Sequence, residues 1–220
     1  MTEREQEIKL ELASEEDRDR LIAALPPSTR RKRQANHYYD LPGLEFRGAG
    51  VLLRLRLETI ERPEHSPRQR ARVTVKERAT RDGEGLFDSI EREFDVPVEA
   101  AEAVVGGDAG FETLGGEVLD ALAARFGALA GLRRWGVLEN ERSVHPFGEW
   151  ELEVDRAVYP GGVVLREVEL ESERPEEARA RLTALLGRLG IAATPSSMSK
   201  SERLAQAADE ATRRDGDGGR

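Results

Sequence analysis

Charged residues recur at alternate positions in segment after segment of this chain, and within a segment they are often of one sign. Glu5-Gln6-Glu7-Ile8-Lys9-Leu10-Glu11-Leu12 sets charges at 5, 7, 9 and 11 against apolar residues at 8, 10 and 12. A period of two is that of a β-strand, whose successive side chains point to opposite faces. The pattern returns at residues 51–58, 70–78, 89–96, 135–145, 149–156 and 163–171. Several of these strands carry like charges at i and i+2: Glu5/Glu7, Arg54/Arg56, Glu91/Glu93 and Glu167/Glu169. Such pairs sit about 7 Å apart on one face and repel. An ordinary solvent-facing strand mixes Thr, Ser, Gln and Lys instead.

Two architectures accommodate the pattern. In one, helices cover the apolar side of an open sheet and the charges face water. In the other, the sheet closes and brings a carboxylate wall against a guanidinium wall. Converging carboxylates hold hard divalent cations through oxygen. Converging Arg and Lys hold phosphate oxygens. Together they describe a site for a metal-bridged polyphosphate. No Walker-type loop competes with that reading, because Gly106-Gly107 and Gly115-Gly116 lack the Lys-Ser/Thr that would follow.

Helices are expected at residues 15–25, 98–105, 114–126, 175–189 and 199–208. The first has Ser14 as N-cap and stops at Pro26-Pro27; the fourth has Pro175 at its start and Gly190 at its close. Residues 59–69, with Pro63 and Pro67, read as a polar loop, and the basic stretch from Arg30 to Arg33 as a connection. The strands are spread over the whole length, so residues 1–208 form one domain. Residues 209–220 lack large apolar side chains and are expected to be a disordered tail.

Among the 220 residues there is no cysteine, which removes thiolate nucleophiles, disulfides and zinc ribbons together. The 34 basic and 43 acidic side chains leave a net charge of −9, a poor general partner for nucleic acid or anionic lipid. The charged start Met1-Thr2-Glu3-Arg4-Glu5 has no apolar core of a signal peptide, and no apolar run reaches membrane-spanning length. A cytoplasmic location without nucleic-acid or membrane partners is expected.

In this order the motifs resemble the CYTH superfamily, the triphosphate tunnel metalloenzymes. Glu5-Gln6-Glu7-Ile8-Lys9 matches its E-x-E-x-K signature, and Tyr38-Tyr39-Asp40 with Pro42 its aromatic-Asp-x-Pro segment. Arg54-Leu55-Arg56 resembles the R-x-R strand, Val73-Thr74-Val75-Lys76 the strand ending in Lys, and Glu91 and Glu93 an acidic strand. Glu139-Asn140-Glu141-Arg142, Glu153-Val154-Asp155, Glu167-Val168-Glu169 and Met198-Ser199-Lys200 resemble the later elements. Ser89 departs by standing where many relatives carry a basic residue.

The resemblance, closest to the plant and bacterial tripolyphosphatase branch, implies an α+β fold: an eight-stranded antiparallel closed β-barrel with helices packed outside. It implies metal-dependent hydrolysis of a triphosphate, foremost inorganic tripolyphosphate to pyrophosphate and phosphate, with Mg²⁺ or Mn²⁺. By position, Glu5, Glu7, Glu167 and Glu169 would be metal ligands. Lys9, Arg54, Arg56, Lys76, Arg142 and Lys200 would hold phosphate oxygens. Lys9 with Glu91, Glu93, Glu153 and Asp155 would make the catalytic set. A nucleotide cyclase, a thiamine or nucleoside triphosphatase, and a non-catalytic polyphosphate-binding module are the alternatives, in a monomer or homodimer. Glu11, Glu58 and Glu171 read as structural or rim residues, and His37 and His65 as surface-loop residues. Trp135, Trp150 and Phe126 read as packing.

Overall fold

The computed structural model describes residues 2–217. The strands are β1 (Thr2–Leu12), β2 (Arg30–Asp40), β3 (Val51–Arg62), β4 (His65–Arg81), β5 (Leu86–Val96), β6 (Arg133–Phe147), β7 (Trp150–Val158), β8 (Val164–Glu171) and the short β9 (Ala193–Pro195). The helices are α1 (Glu15–Ala24), α2 (Glu45–Gly48), α3 (Val98–Gly106), α4 (Glu117–Phe126), α5 (Pro175–Leu189) and α6 (Lys200–Asp217). The sheet order is β5-β4-β3-β2-β6-β7-β8-β1-β9, and β5 pairs back onto β1. Eight antiparallel strands therefore close into a barrel, as the resemblance implied.

Closure works because β1 serves two neighbours on one edge. Its residues Thr2 to Ile8 pair with β5, and its residues Leu10 to Leu12 pair with β9. At the handover Lys9 N donates to Gly85 O at 2.7 Å. Gly85 sits at φ +84°, and a Cβ there would meet Lys9 O at 2.5 Å, so only glycine lets the two backbones come this close.

One parity of every strand packs outward and the other lines the bore. The outward residues form two apolar clusters. Leu53, Leu55, Val73 and Val75 of β3 and β4 lie beneath α2, α3 and α4, with Phe46, Leu119 and Leu122 packed on them. Ile8, Leu10, Val154, Val168 and Leu170 lie beneath α1 and α5, with Leu21, Leu182 and Leu186 packed on them. Each fully buried Leu or Ile contributes about 1.5–3 kcal/mol. The barrel is thus stabilised largely from its outside; inside, Leu138, Ala157 and Leu165 pack with Tyr38, Tyr159 and Leu204 of α6 in a third cluster, and charge occupies much of the rest. Phe126 packs edge-on against Phe46 in this outer layer.

The sequence reading and the structure part in four places. Residues 30–40 form a strand rather than a connection. Lys32, Gln34 and Asn36 face a polar bore, so β2 has no apolar alternation to betray it. Residues 59–69 belong to a long β3–β4 hairpin that turns at Pro63-Glu64, with Arg62 paired to His65. His65 is an exposed strand residue, and His37 lies buried on β2 rather than on a surface loop. Finally, α6 continues to Asp217 where composition predicts a tail from 209; Ala207, Ala208 and Ala211 are strong helix formers. Residues 218–220 lie outside the described residues.

Candidate active site

The bore holds a cavity of about 1530 Å³. Its lining includes Glu5, Glu7, Lys9, Arg54, Arg56, Lys76, Glu91, Glu93, Arg142, Glu153, Glu169 and Lys200 from seven strands and α6. Asp155 and Glu167, of the same inward parity, are buried behind that surface. The barrel brings together every residue the sequence singled out for the site.

The acidic side is built by β1, β7 and β8. Glu169 pairs with Lys9 at 2.9 Å, with Lys200 at 2.5 Å and with Arg142. Despite burial, these three cations hold its carboxyl well below the usual range. Asp155 pairs with Arg142 at 2.5 Å and Lys200 at 2.9 Å, and they outweigh burial and lower it too. Glu167 accepts from Ser196 Oγ and Lys200 Nζ. Burial, aided by the charge of Glu169 and opposed by Lys200, pushes it up to about 7. Glu7 contacts Lys9 at 2.5 Å. On the opposite flank Lys76 bridges Glu5 at 2.8 Å and Glu91 at 2.6 Å. Burial and Glu7 push Glu5 up to about 9; against burial, Lys76 and Arg54 hold Glu91 down at about 2.

Asp155, Glu167 and Glu169 each offer an oxygen, all within 4.8 Å of one another. Three buried carboxylates at this spacing fit a hard divalent ion. The grouping differs from the expected ligand set in one respect. Asp155 joins the pair from β8, whereas Glu5 and Glu7 sit against Lys76 and Lys9.

The basic side is built by β3, β4 and β6; Arg142 and Lys76 are paired with the carboxylates above, and Arg56 is the exception. Arg54 Nη2 donates to Thr74 Oγ1 at 3.0 Å and reaches Glu93 at 3.4 Å, while its buried Nε has no partner. Arg56 Nε donates to Asn36 Oδ1 at 2.8 Å. Among the described residues no carboxylate lies within ion-pairing distance of Arg56. Burial, then Arg54 and Arg142, lowers its pKa to about 10. An unpartnered guanidinium donor and a guanidinium without a carboxylate partner are groups to which an anion can bind.

Two cations missing from the sequence reading also face inward, Arg72 and Lys32. Arg72 pairs with Glu93 and, at 2.9 Å, with Asp95. Lys32 lies 3.5 Å from Glu153 and near Arg142, Glu58, Arg30 and Arg56. Arg72 shares the charged parity of Arg70, Thr74 and Lys76, which could have found it; Lys32 lies on a strand polar on both faces, so alternation gives no signal for it. Burial, then Arg142, brings Lys32 down to about 8 from 10.5. Between those values the unfolded chain keeps a proton that the folded one gives up, so this group adds stability as pH rises across that window. A bound polyanion favours the charged form. Tripolyphosphate affinity should therefore weaken as pH climbs through about 8 in the wild type, and the weakening should disappear in Lys32→Arg. Superimposable pH profiles for the two proteins would exclude Lys32 from the site.

Lys200 reaches the acidic cluster from α6. The helix begins with a capping box: Glu202 N donates to Ser199 Oγ at 3.3 Å and Ser199 N to Glu202 Oε2 at 2.7 Å. That fixes Lys200 as the first helical residue. Glu11 is held by Arg203 of the same helix. Glu58 accepts from Gln34 at 3.0 Å, and Glu171 lines the bore. Trp150 packs against the outer cluster with Arg174 and Arg181 over its ring, and it borders the cavity as well. Trp135 packs, as expected, against Tyr38 and the cluster around Leu138 and Leu204, and it also lines the cavity.

Among the described residues no helix is long and apolar enough to cross a membrane. No curated protein matches the chain by sequence. Solved structures share its fold. A Hippeastrum protein, provisionally assigned as an adenylyl cyclase and described as having a dominant triphosphatase activity, superposes with TM-score 0.81 at 22% identity, over 92% of this chain and 96% of that one. A provisionally assigned adenylate cyclase from Bacillus halodurans gives 0.66 at 23% identity, over 91% and 98%. A Pyrococcus horikoshii protein gives 0.59 at 16%, over 91% and 99%. The model of the CYTH domain matches residues 3–193, and with the closed, charge-lined barrel this places the chain in the CYTH domain family.

Proposed function

We propose that this protein hydrolyses a triphosphate inside its barrel, with inorganic tripolyphosphate the principal substrate and pyrophosphate and phosphate the products. The observation that carries the reading is Arg56, buried without a carboxylate partner among the described residues, beside Arg54 with its unpartnered Nε, in the barrel that also holds the buried carboxylates Asp155, Glu167 and Glu169. Phosphoryl transfer asks a protein mainly for positioning and charge neutralisation. Arg54, Arg56, Lys76 and Arg142 would hold the phosphate oxygens, with Lys9 and Lys200 at the acidic side. A divalent ion, Mg²⁺ or Mn²⁺, held by Glu167 and Glu169 with Asp155 and flanked by Glu5 and Glu7, would supply charge neutralisation and a more acidic bound water.

Water attacks the terminal phosphorus, the bond to the bridging oxygen breaks, and its electron pair leaves with pyrophosphate. The water's proton passes to a carboxylate of the acidic wall, drawn from Glu91, Glu93, Glu153 and Asp155. The basic side neutralises the charge that builds on the leaving group.

Phosphate release from tripolyphosphate, ATP and thiamine triphosphate, each with Mg²⁺ or Mn²⁺, tests the proposal. Tripolyphosphate should give the highest kcat/KM. Tight binding with no phosphate released from any of the three would mark a binding module instead. Cyclic AMP as the product from ATP would mark a cyclase.

A further inference from the structure

Cations in the bore are held in two ways. Lys9, Lys76, Arg142 and Lys200 each meet two or more carboxylates. Arg56 meets an amide instead. The bond from its Nε to Asn36 Oδ1 is the one hydrogen bond its side chain makes among the described residues.

Position 36 is where a carboxylate could have paired with Arg56, because the β2–β3 register sets the two residues directly opposite each other. Asn36 stands there, 3% exposed. Its orientation is set from the other side, by β6, where its register partner is Leu138. Asn36 Nδ2 donates to Leu138 O at 3.2 Å. A carbonyl only accepts and a guanidinium only donates, so the amide fits between them one way round, with Oδ1 toward Arg56. The flipped amide would set donor against donor and acceptor against acceptor.

Glu58 lies two residues from Arg56 on the same face of β3, about 7 Å along the strand. It is engaged elsewhere. Gln34, its direct cross-strand partner, donates to Glu58 Oε2 at 3.0 Å, and Arg70 lies 3.8 Å from Oε1. Gln34 Oε1 in turn accepts from Asn140 Nδ2 at 3.0 Å. Thus β2 sets amides against β3, Gln34 against Glu58 and Asn36 against Arg56, and neither amide brings a charge.

The Nε bond fixes the guanidinium plane by one edge. Both Nη groups are left without a protein partner, on a residue that lines the cavity. Two such groups make a bidentate donor for phosphate oxygens. A carboxylate at position 36 would fix the same fork and neutralise it; an uncharged acceptor fixes it and leaves the charge for the anion.

Resting on the triphosphate-binding bore proposed above, we propose that Asn36 is a positioning residue for that substrate: its neutral amide aims Arg56 at the phosphate chain and preserves the full charge of the guanidinium, while Gln34 holds Glu58 away.

Tripolyphosphate affinity, measured by calorimetry on the full chain in chelator, where hydrolysis does not intervene, decides it. Asn36→Asp keeps the acceptor for Nε and adds a charge; affinity should fall about tenfold or more. Asn36→Ala removes the acceptor and adds no charge; affinity should fall less, about threefold. A purely structural amide gives the reverse order, since only alanine loses the bond to Arg56. Equal binding by all three proteins, or weaker binding by Asn36→Ala than by Asn36→Asp, overturns the role. In an Arg56→Gln background Asn36→Ala should cost no further affinity, because no guanidinium remains to be aimed. The same cost in both backgrounds also overturns it, even if Asn36→Asp fails to fold. A wild type that binds no tripolyphosphate sinks the triphosphate reading and this role with it; a wild type that binds it, with variants that bind as tightly, sinks this role alone.

Discussion

Arg56→Gln should lower kcat/KM for tripolyphosphate by about two to three orders of magnitude, the usual loss when one preorganised donor to developing charge is removed. The same substitution should leave thermal stability unchanged or raise it. In the free protein Arg56 has no ion-paired carboxylate, and its neighbours Arg54 and Arg142 repel it. The bond to Asn36 Oδ1 is within reach of the glutamine amide. A residue that opposes folding and promotes turnover separates function from structure cleanly. Arg54→Gln should behave alike in turnover but should also cost stability, since its Nη2 bonds to Thr74 and Glu93 are lost. Wild-type rates in both variants would rule out the basic side as the phosphate site.

The paired substitutions Glu167→Gln and Glu169→Gln should give opposite results in the absence of metal. Glu167 is pushed up to about 7 by burial and by Glu169, so near neutrality the site already tolerates its protonated form. Glutamine imitates that form, and Glu167→Gln should fold as the wild type does in chelator. Glu169 is the anion on which Lys9, Arg142 and Lys200 all converge. Removing its charge leaves buried cations short of a partner, and a loss of about 3–5 kcal/mol in stability is expected. With metal present the two should converge. Each loses a ligand oxygen, and the Mn²⁺ affinity measured by calorimetry should drop about tenfold or more in both. An unaltered Mn²⁺ titration in Glu167→Gln would remove that residue from the metal site, whatever its effect on rate.

Much of this was legible before any coordinates. Single-sign charges at alternate positions identified β1, β3, β4, β5, β7 and β8 and, within each, the face that would carry the chemistry. The same rule failed on β2. Its inward residues Lys32, Gln34 and Asn36 and its outward residues Arg31 and Arg33 are polar alike, so no contrast marks the strand. It failed again at Trp135, because alternation holds only while the register does, and a single extra residue in β6 turned an outward ring to the mouth of the bore. The start of α6 was legible too: a helix is expected from residue 199, and the structure begins it at Lys200 with Ser199 as its cap.

Taken alone, the sequence determined which side chains are excluded from the apolar layer, since a period of two assigns each residue of a strand to one face or the other. Which of those charges neutralise one another was settled only by closure. Lys9 meets Glu169 across 160 residues of chain because β8 lies beside β1, and Lys76 meets Glu5 across 71 because β5 pairs back onto β1 and brings the two ends of the sheet into one low-dielectric space. In that space a carboxylate's protonation and a guanidinium's need for an anion depend on neighbours that lie far away along the chain. Pattern assigns a residue to a face; only the third dimension assigns it a partner.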